Sequence, residues 1–115
     1  MKQTDAIEAF AALAQPSRMT IFRLLVRVGP KGLQVSEIAR RLNIVASTLS
    51  GHLAILKRAG LLTATRHQRE IHYAANMDAI NKMVGFLLSD CCEGQTENCS
   101  EILYLLDTKP LQSAG

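Results

Sequence analysis

Ser47-Thr48-Leu49-Ser50-Gly51-His52-Leu53-Ala54-Ile55-Leu56-Lys57-Arg58-Ala59-Gly60-Leu61-Leu62 decides how this chain is read. Leu49, Leu53 and Leu56 fall at i, i+4 and i+7, the apolar stripe of a helix over about Ala46 to Ala59. Gly60 stands where a left-handed residue closes such a helix. With the leucines buried, the opposite face presents Ser47, Thr48, Gly51 and His52. Small donors and acceptors in a first helical turn can approach base edges in a major groove, which just admits a helix. The helix N-terminal amides add affinity for phosphate. A competing reading has Ser47, Thr48 or Ser50 simply capping the helix.

Working outward, Ser36 to Leu42 reads as a short preceding helix that stops at Asn43. After Gly60, Leu61–Thr65 and Ile71–Ala75 read as two strands joined by the basic bridge Arg66-His67-Gln68-Arg69-Glu70, a hairpin with a charged tip. Two short helices, a tight turn and a hairpin make a winged helix-turn-helix. Nearer the N-terminus, Ile7, Phe10, Ala11 and Ala14 mark an amphipathic helix over residues 5–14. Pro16 opens a second helix, where its missing N–H costs nothing, running to about Val28 with Met19, Phe22, Leu25 and Val26 as its apolar face. Gly29-Pro30 ends it. Residues 77–92 read as the last long helix, with Ile80, Met83, Val84, Leu87 and Leu88 as a buried stripe. A further short helix is expected over Ser100–Asp107, followed by a tail without order.

The chain's 115 residues suffice for one modest core, and at 48% hydrophobic and 4% aromatic that core must be aliphatic. The fold class is therefore mainly α with a small β-hairpin. No apolar run approaches the roughly 18 residues of a membrane span, and no signal-peptide block follows Met1. A cytoplasmic location, with no membrane partner, is the default expectation. The net charge is +3, but residues 1–75 carry eleven basic and four acidic residues, whereas residues 76–115 carry two basic and six acidic. A basic body points to a polyanion partner, the alternative being a solvated surface with chance asymmetry; beside the polar face of the Ala46–Ala59 helix, the polyanion read here is double-stranded DNA. Arg40, Arg41, Lys57, Arg58, Arg66 and Arg69 are the candidates for neutralising its backbone.

All three cysteines, Cys91, Cys92 and Cys99, crowd the segment Asp90-Cys91-Cys92-Glu93-Gly94-Gln95-Thr96-Glu97-Asn98-Cys99. In a reducing compartment such a cluster binds metal or does redox work rather than forming a disulfide framework. Three thiolates without a fourth neighbour suit three-coordinate As(III) or Sb(III), and suit four-coordinate zinc less well. Adjacent helical residues point about 100° apart, so Cys91 and Cys92 converge on one ion only from a frayed last turn, which Gly94 permits. Two alternatives stay open. One is a soft divalent metal with an oxygen from Asp90, Glu93 or Glu97; the other is a thiol-redox or persulfide switch through a bond to Cys99. A Ser/His/Asp arrangement, a phosphate loop and a paired-carboxylate cleft are all missing from the sequence, so an enzyme is not expected.

The stretch Ala12 to Leu25, the quoted stretch from Ser47 to Leu62, and Arg69-Glu70-Ile71-His72-Tyr73 together resemble the ArsR/SmtB family of metal-responsive repressors over residues 5–90. The resemblance implies a homodimer joined through first and last helices, with Ile7, Phe10, Met83 and Leu87 at the interface. It implies operator contacts from Ser47, Thr48, Ser50 and His52, and release by inducer. The family's Cys-x-Cys site in the third helix has no counterpart in Leu33-Gln34-Val35-Ser36-Glu37, and of its Asp/His/Glu zinc set only Asp78 is present. The subgroup with a Cys-Cys pair after the last helix and a further Cys shortly beyond is similar to this chain, which implies As(III) held by Cys91, Cys92 and Cys99. On this reading residues 1–92 form the DNA-binding and dimerisation domain, and residues 93–115 the inducer-binding loop and tail.

Overall fold

The computed structural model describes residues 1–89. Within them the elements run α1 (Gln3–Leu13), α2 (Pro16–Val28), β1 (Leu33–Gln34), α3 (Val35–Leu42), α4 (Ala46–Arg58), β2 (Leu62–His67), β3 (Glu70–Ala75) and α5 (Met77–Leu88). The three strands form an antiparallel sheet in the order β1-β3-β2. This is the winged helix-turn-helix expected from the sequence.

Local chemistry sets most boundaries. Pro16 is the first residue of α2, and the Gln15 side chain caps it by accepting the Arg18 N–H at 2.8 Å. Arg18 Nε donates to the Ala12 carbonyl at 2.6 Å, pinning α2 to the end of α1. Asn43 terminates α3 in the left-handed region at φ 54°. Gly60 does the same after α4 at φ 84°, with its N–H donating to the Lys57 carbonyl at 2.9 Å and the Leu61 N–H to the Leu56 carbonyl at 3.0 Å. That pair of bonds is a Schellman closure, and Leu56 and Leu61, both fully buried, supply its apolar contact.

The core is aliphatic, as expected: Ile21, Leu25, Ile38, Leu49, Leu53, Leu56 and Leu61 are essentially sealed from solvent. Four details differ from the sequence reading. On α1 the buried face is Ala6, Ala9 and Ala12, while Ile7, Phe10, Ala11 and Ala14 lie outside. Alanines let α1 lie close against its neighbours, and the larger Ile7 and Phe10 stay on its outer face. On α2 the core takes Ile21, Phe22, Leu24 and Leu25, leaving Met19 and Val26 exposed. The hairpin strands extend through His67 and Glu70, so the turn is only Gln68-Arg69. Finally, α5 stops at Leu88 rather than reaching residue 92. Ser89 is extended at ψ 135°, and its hydroxyl donates back to the Phe86 carbonyl at 2.8 Å. Of the α5 stripe only Met83 is fully buried, Ile80, Val84 and Leu88 are partly covered, and Leu87 is exposed.

β1 was not visible in the sequence. Its two residues pair Leu33 with Tyr73 and Gln34 with His72, a register set by chain forty residues away rather than by local pattern. The cysteines at 91, 92 and 99, the helix expected over 100–107 and the loop-and-tail unit over 93–115 lie outside the described residues.

Candidate nucleic-acid interface

α4 carries the site. Its inner face is locked by Leu49, Leu53 and Leu56, which fixes the helix's rotation about its own axis and turns the other face outward. Ser47, Thr48, Ser50 and Gly51 are exposed, and His52 is half-buried. The N-cap is Val45, which makes no side-chain cap bond. Capping is therefore not what Ser47, Thr48 and Ser50 do, and their hydroxyls stand on a surface that opens with the unpaired amides of a helix N-terminus. Lys57 lies ten residues further on, about 15 Å along the axis.

The cations divide into two groups. On α3, Glu37 accepts from Arg40 at Oε1 and Oε2, and from Arg41 Nε at 2.8 Å. Hydrogen bonds from Arg40 and then Arg41 hold the Glu37 carboxyl down at about 2. The same bonds raise Arg40 above its ordinary value. Arg41, expected to meet the backbone, is thus oriented by Glu37 while keeping further guanidinium N–H groups free. On the wing, Arg66 Nε donates to the Gln68 carbonyl at 3.1 Å and braces the turn. Arg69 stands exposed at the tip.

The structure adds residues the sequence did not single out. Gln34 Nε2 donates to Glu70 Oε1 at 2.9 Å, tying β1 to the start of β3. His67 and His72 lie on the same side of the hairpin with ring centroids 4.6 Å apart. Asn76, between β3 and α5, donates through Nδ2 to the Gly60 carbonyl at 2.9 Å and through its backbone N–H to the Leu61 carbonyl at 2.8 Å. The first turn of α5 is therefore bonded to the closing turn of α4. Only the fold, which brings residues 60 and 76 together, reveals this link.

Of the four expected seam residues, Ile7, Phe10 and Leu87 are 58%, 36% and 62% exposed on the protomer. Met83 differs: at 2% exposure it belongs to the protomer's own core with Ala9, Ala12 and Ala79. It anchors α5 to that core and offers almost no surface of its own. Among the described residues, no three His, Cys, Asp or Glu side chains are grouped to hold a metal ion, and no helix is long and apolar enough to cross a membrane.

Comparison with known proteins matches residues 13–64 to a family model described as a helix-turn-helix domain. The chain is 34% identical over 84 residues to the transcriptional repressor SdpR of Bacillus subtilis, covering 68% of this chain and 88% of that protein. Its fold is similar to an ArsR-like transcriptional regulator from Rhodococcus sp. RHA1, with a TM-score of 0.67, 25% identity and coverage of 86% and 90% of the two chains. It is also similar to the homodimeric winged helix-turn-helix DNA-binding domain Mb0332 from Mycobacterium bovis, with a TM-score of 0.62, 26% identity and coverage of 78% and 83%.

Proposed function

This chain belongs to the ArsR-like helix-turn-helix transcriptional regulators, and on that premise we propose that it is a homodimeric, arsenic-responsive repressor. The family consists of DNA-binding regulators rather than enzymes. The observation that carries the DNA-binding half is the exposed Ser47, Thr48, Ser50 and His52 face of α4, held outward by three buried leucines beside a basic wing. In the inducer-free dimer two such faces read half-sites about one helical turn apart. Lys57, Arg41, Arg66 and Arg69 supply the salt-dependent contacts to the phosphates. The exposed Ile7, Phe10 and Leu87 form the apolar seam between protomers.

The inducer half rests on the donor set. Cys91, Cys92 and Cys99 offer three soft thiolates to As(III) or Sb(III), and the operator would control arsenical resistance. Closing the segment between Cys92 and Cys99 on the ion re-sets the end of α5. The Asn76 bonds to Gly60 and Leu61 support a route from there, since they join α5 to the closing turn of the recognition helix. A coupling free energy of roughly 1–3 kcal/mol would lower operator affinity 5- to 150-fold.

The test is fluorescence anisotropy of the reduced protein on its own promoter fragment, titrated in parallel with As(III), Zn(II) and a persulfide donor. Release by As(III), abolished in Cys92→Ser while operator binding stays intact, is expected. Release by Zn(II) or persulfide instead would replace arsenic with the divalent-metal or the thiol-redox reading of the same three cysteines.

A further inference from the structure

Leu24, Arg27 and Val28 of α2, Lys31 of the following turn and Arg41 of α3 line an open surface hollow of about 280 Å³. None of its lining residues belongs to α4 or to the wing strands, and apart from the three cations its wall is apolar. We propose that this hollow seats a backbone phosphate of the operator duplex, flanking the bases that α4 addresses. The inference rests on the DNA-binding reading above and extends the contact surface to Arg27 and Lys31.

Three observations carry it. First, three cations from three different chain segments line one concavity, and no carboxylate is among the lining residues. Of the three lining cations, Arg41 is paired with Glu37, a carboxylate that also takes Arg40, and Glu37 itself does not line the hollow. Second, α2 contains Arg18, Arg23 and Arg27 but no acidic residue. Arg23 and Arg27 at i, i+4 repel each other along the helix, which costs the free protein stability and is relieved by a polyanion. Third, Arg41 is oriented into place by its 2.8 Å bond to Glu37 and sits four residues before the N-cap of α4. The hollow is thereby tied in sequence to the base-reading helix. Arg27 and Arg41 also stand in the last turns of their helices, where cations offset the helix dipole. Lys31 belongs to no helix, and dipole compensation does not require the three to converge.

The experiment measures operator affinity against salt concentration for the wild type and for Arg27→Gln/Lys31→Gln. Loss of one or two phosphate contacts makes the log–log slope shallower by about one to two while leaving discrimination between operator and scrambled duplex unchanged. Arg27→Lys/Lys31→Arg, which keeps both charges, restores the slope; a thermal melt of each variant accompanies the titration. An unchanged slope in Arg27→Gln/Lys31→Gln overturns the proposal, as does a lowered melting temperature with no slope change, which assigns the pair to the dipole role. Inorganic phosphate is titrated in a separate arm by calorimetry. Binding that needs Arg27 and Lys31, with the DNA slope untouched, makes the hollow a free-anion site and likewise overturns it. Failure of the wild type to distinguish operator from scrambled duplex strikes the DNA-binding reading itself, so the two failures are separable.

Discussion

Gly32 passes so close beneath Tyr73 that a β-carbon on it would overlap the Tyr73 carbonyl, and its φ is +69°. The contact lies where β1 joins β3, so one glycine lets the α2–α3 connection dock against the wing's inner strand. Gly32→Ala would introduce both the left-handed penalty, about 1–2 kcal/mol, and a backbone clash. A loss of about 2–4 kcal/mol in urea or thermal unfolding is expected. A variant as stable as wild type would mean that the connection moves freely relative to β3.

Gln68 occupies the first position of the two-residue wing turn at φ 61°. That region suits glycine, so Gln68→Gly should stabilise the protein by about 0.5–1 kcal/mol. The Arg66 bond is to the backbone carbonyl of residue 68 and survives the change. Chemical denaturation with unchanged m-value is the check.

Glu37 lies between Arg40 and Arg41, and its folded-state pKa is lowered from 4.5 to about 2. A carboxyl with a depressed folded value stabilises the fold fully above its unfolded value. That contribution is lost as pH falls from about 4.5 towards 2. Carboxyl NMR titration should place the Glu37 midpoint near 2, and Arg40→Ala should raise it more than Arg41→Ala, because the Arg40 bond is the larger cause. Equal midpoints in all three proteins would remove the ion pairs from solution behaviour.

On the proposed reading, in which the exposed Ser47 and Thr48 of α4 contact base edges, Ser47→Ala and Thr48→Ala should each weaken operator binding by about tenfold and relax base preference. Arg69→Gln should weaken all duplexes alike and make the salt slope shallower by about one. Anisotropy on operator and scrambled duplexes at several salt concentrations separates the two behaviours.

The proposed dimer seam gives a further prediction. Ile7→Asp with Leu87→Asp places charge on surface that is solvent-exposed in the protomer. The fold should persist, while sedimentation velocity shifts from dimer to monomer and operator affinity collapses. Met83→Ala, by contrast, empties a position in the protomer core. It should cost about 2–5 kcal/mol of stability.

Much of this molecule is legible before folding. The leucine stripe of α4, the Pro16 start of α2, the stops at Asn43 and Gly60 and the basic hairpin are local signals, because helical period, capping and turn chemistry act over a few residues. They sufficed for the winged helix-turn-helix and for which face of α4 is buried and which is exposed. The cysteine triad is likewise legible in the sequence: spacing and thiol chemistry mark it as a candidate soft-metal or redox site, and the family resemblance adds the inducer role.

What only the tertiary structure decided depends on residues far apart in the chain. Periodicity marks an apolar stripe on α1 but not which side the rest of the protein covers. The alanine side packs because small residues permit close helix approach, and so Ile7 and Phe10 face outward. Met83 and Leu87 share one stripe in the sequence, yet one is core and the other surface. β1 exists because Leu33 and Gln34 find Tyr73 and His72, and Asn76 reaches Gly60 only after the hairpin has folded back. Arg27, Lys31 and Arg41 share a hollow for the same reason. Local pattern sets which elements form, whereas burial and long-range hydrogen bonding choose the faces that remain for function.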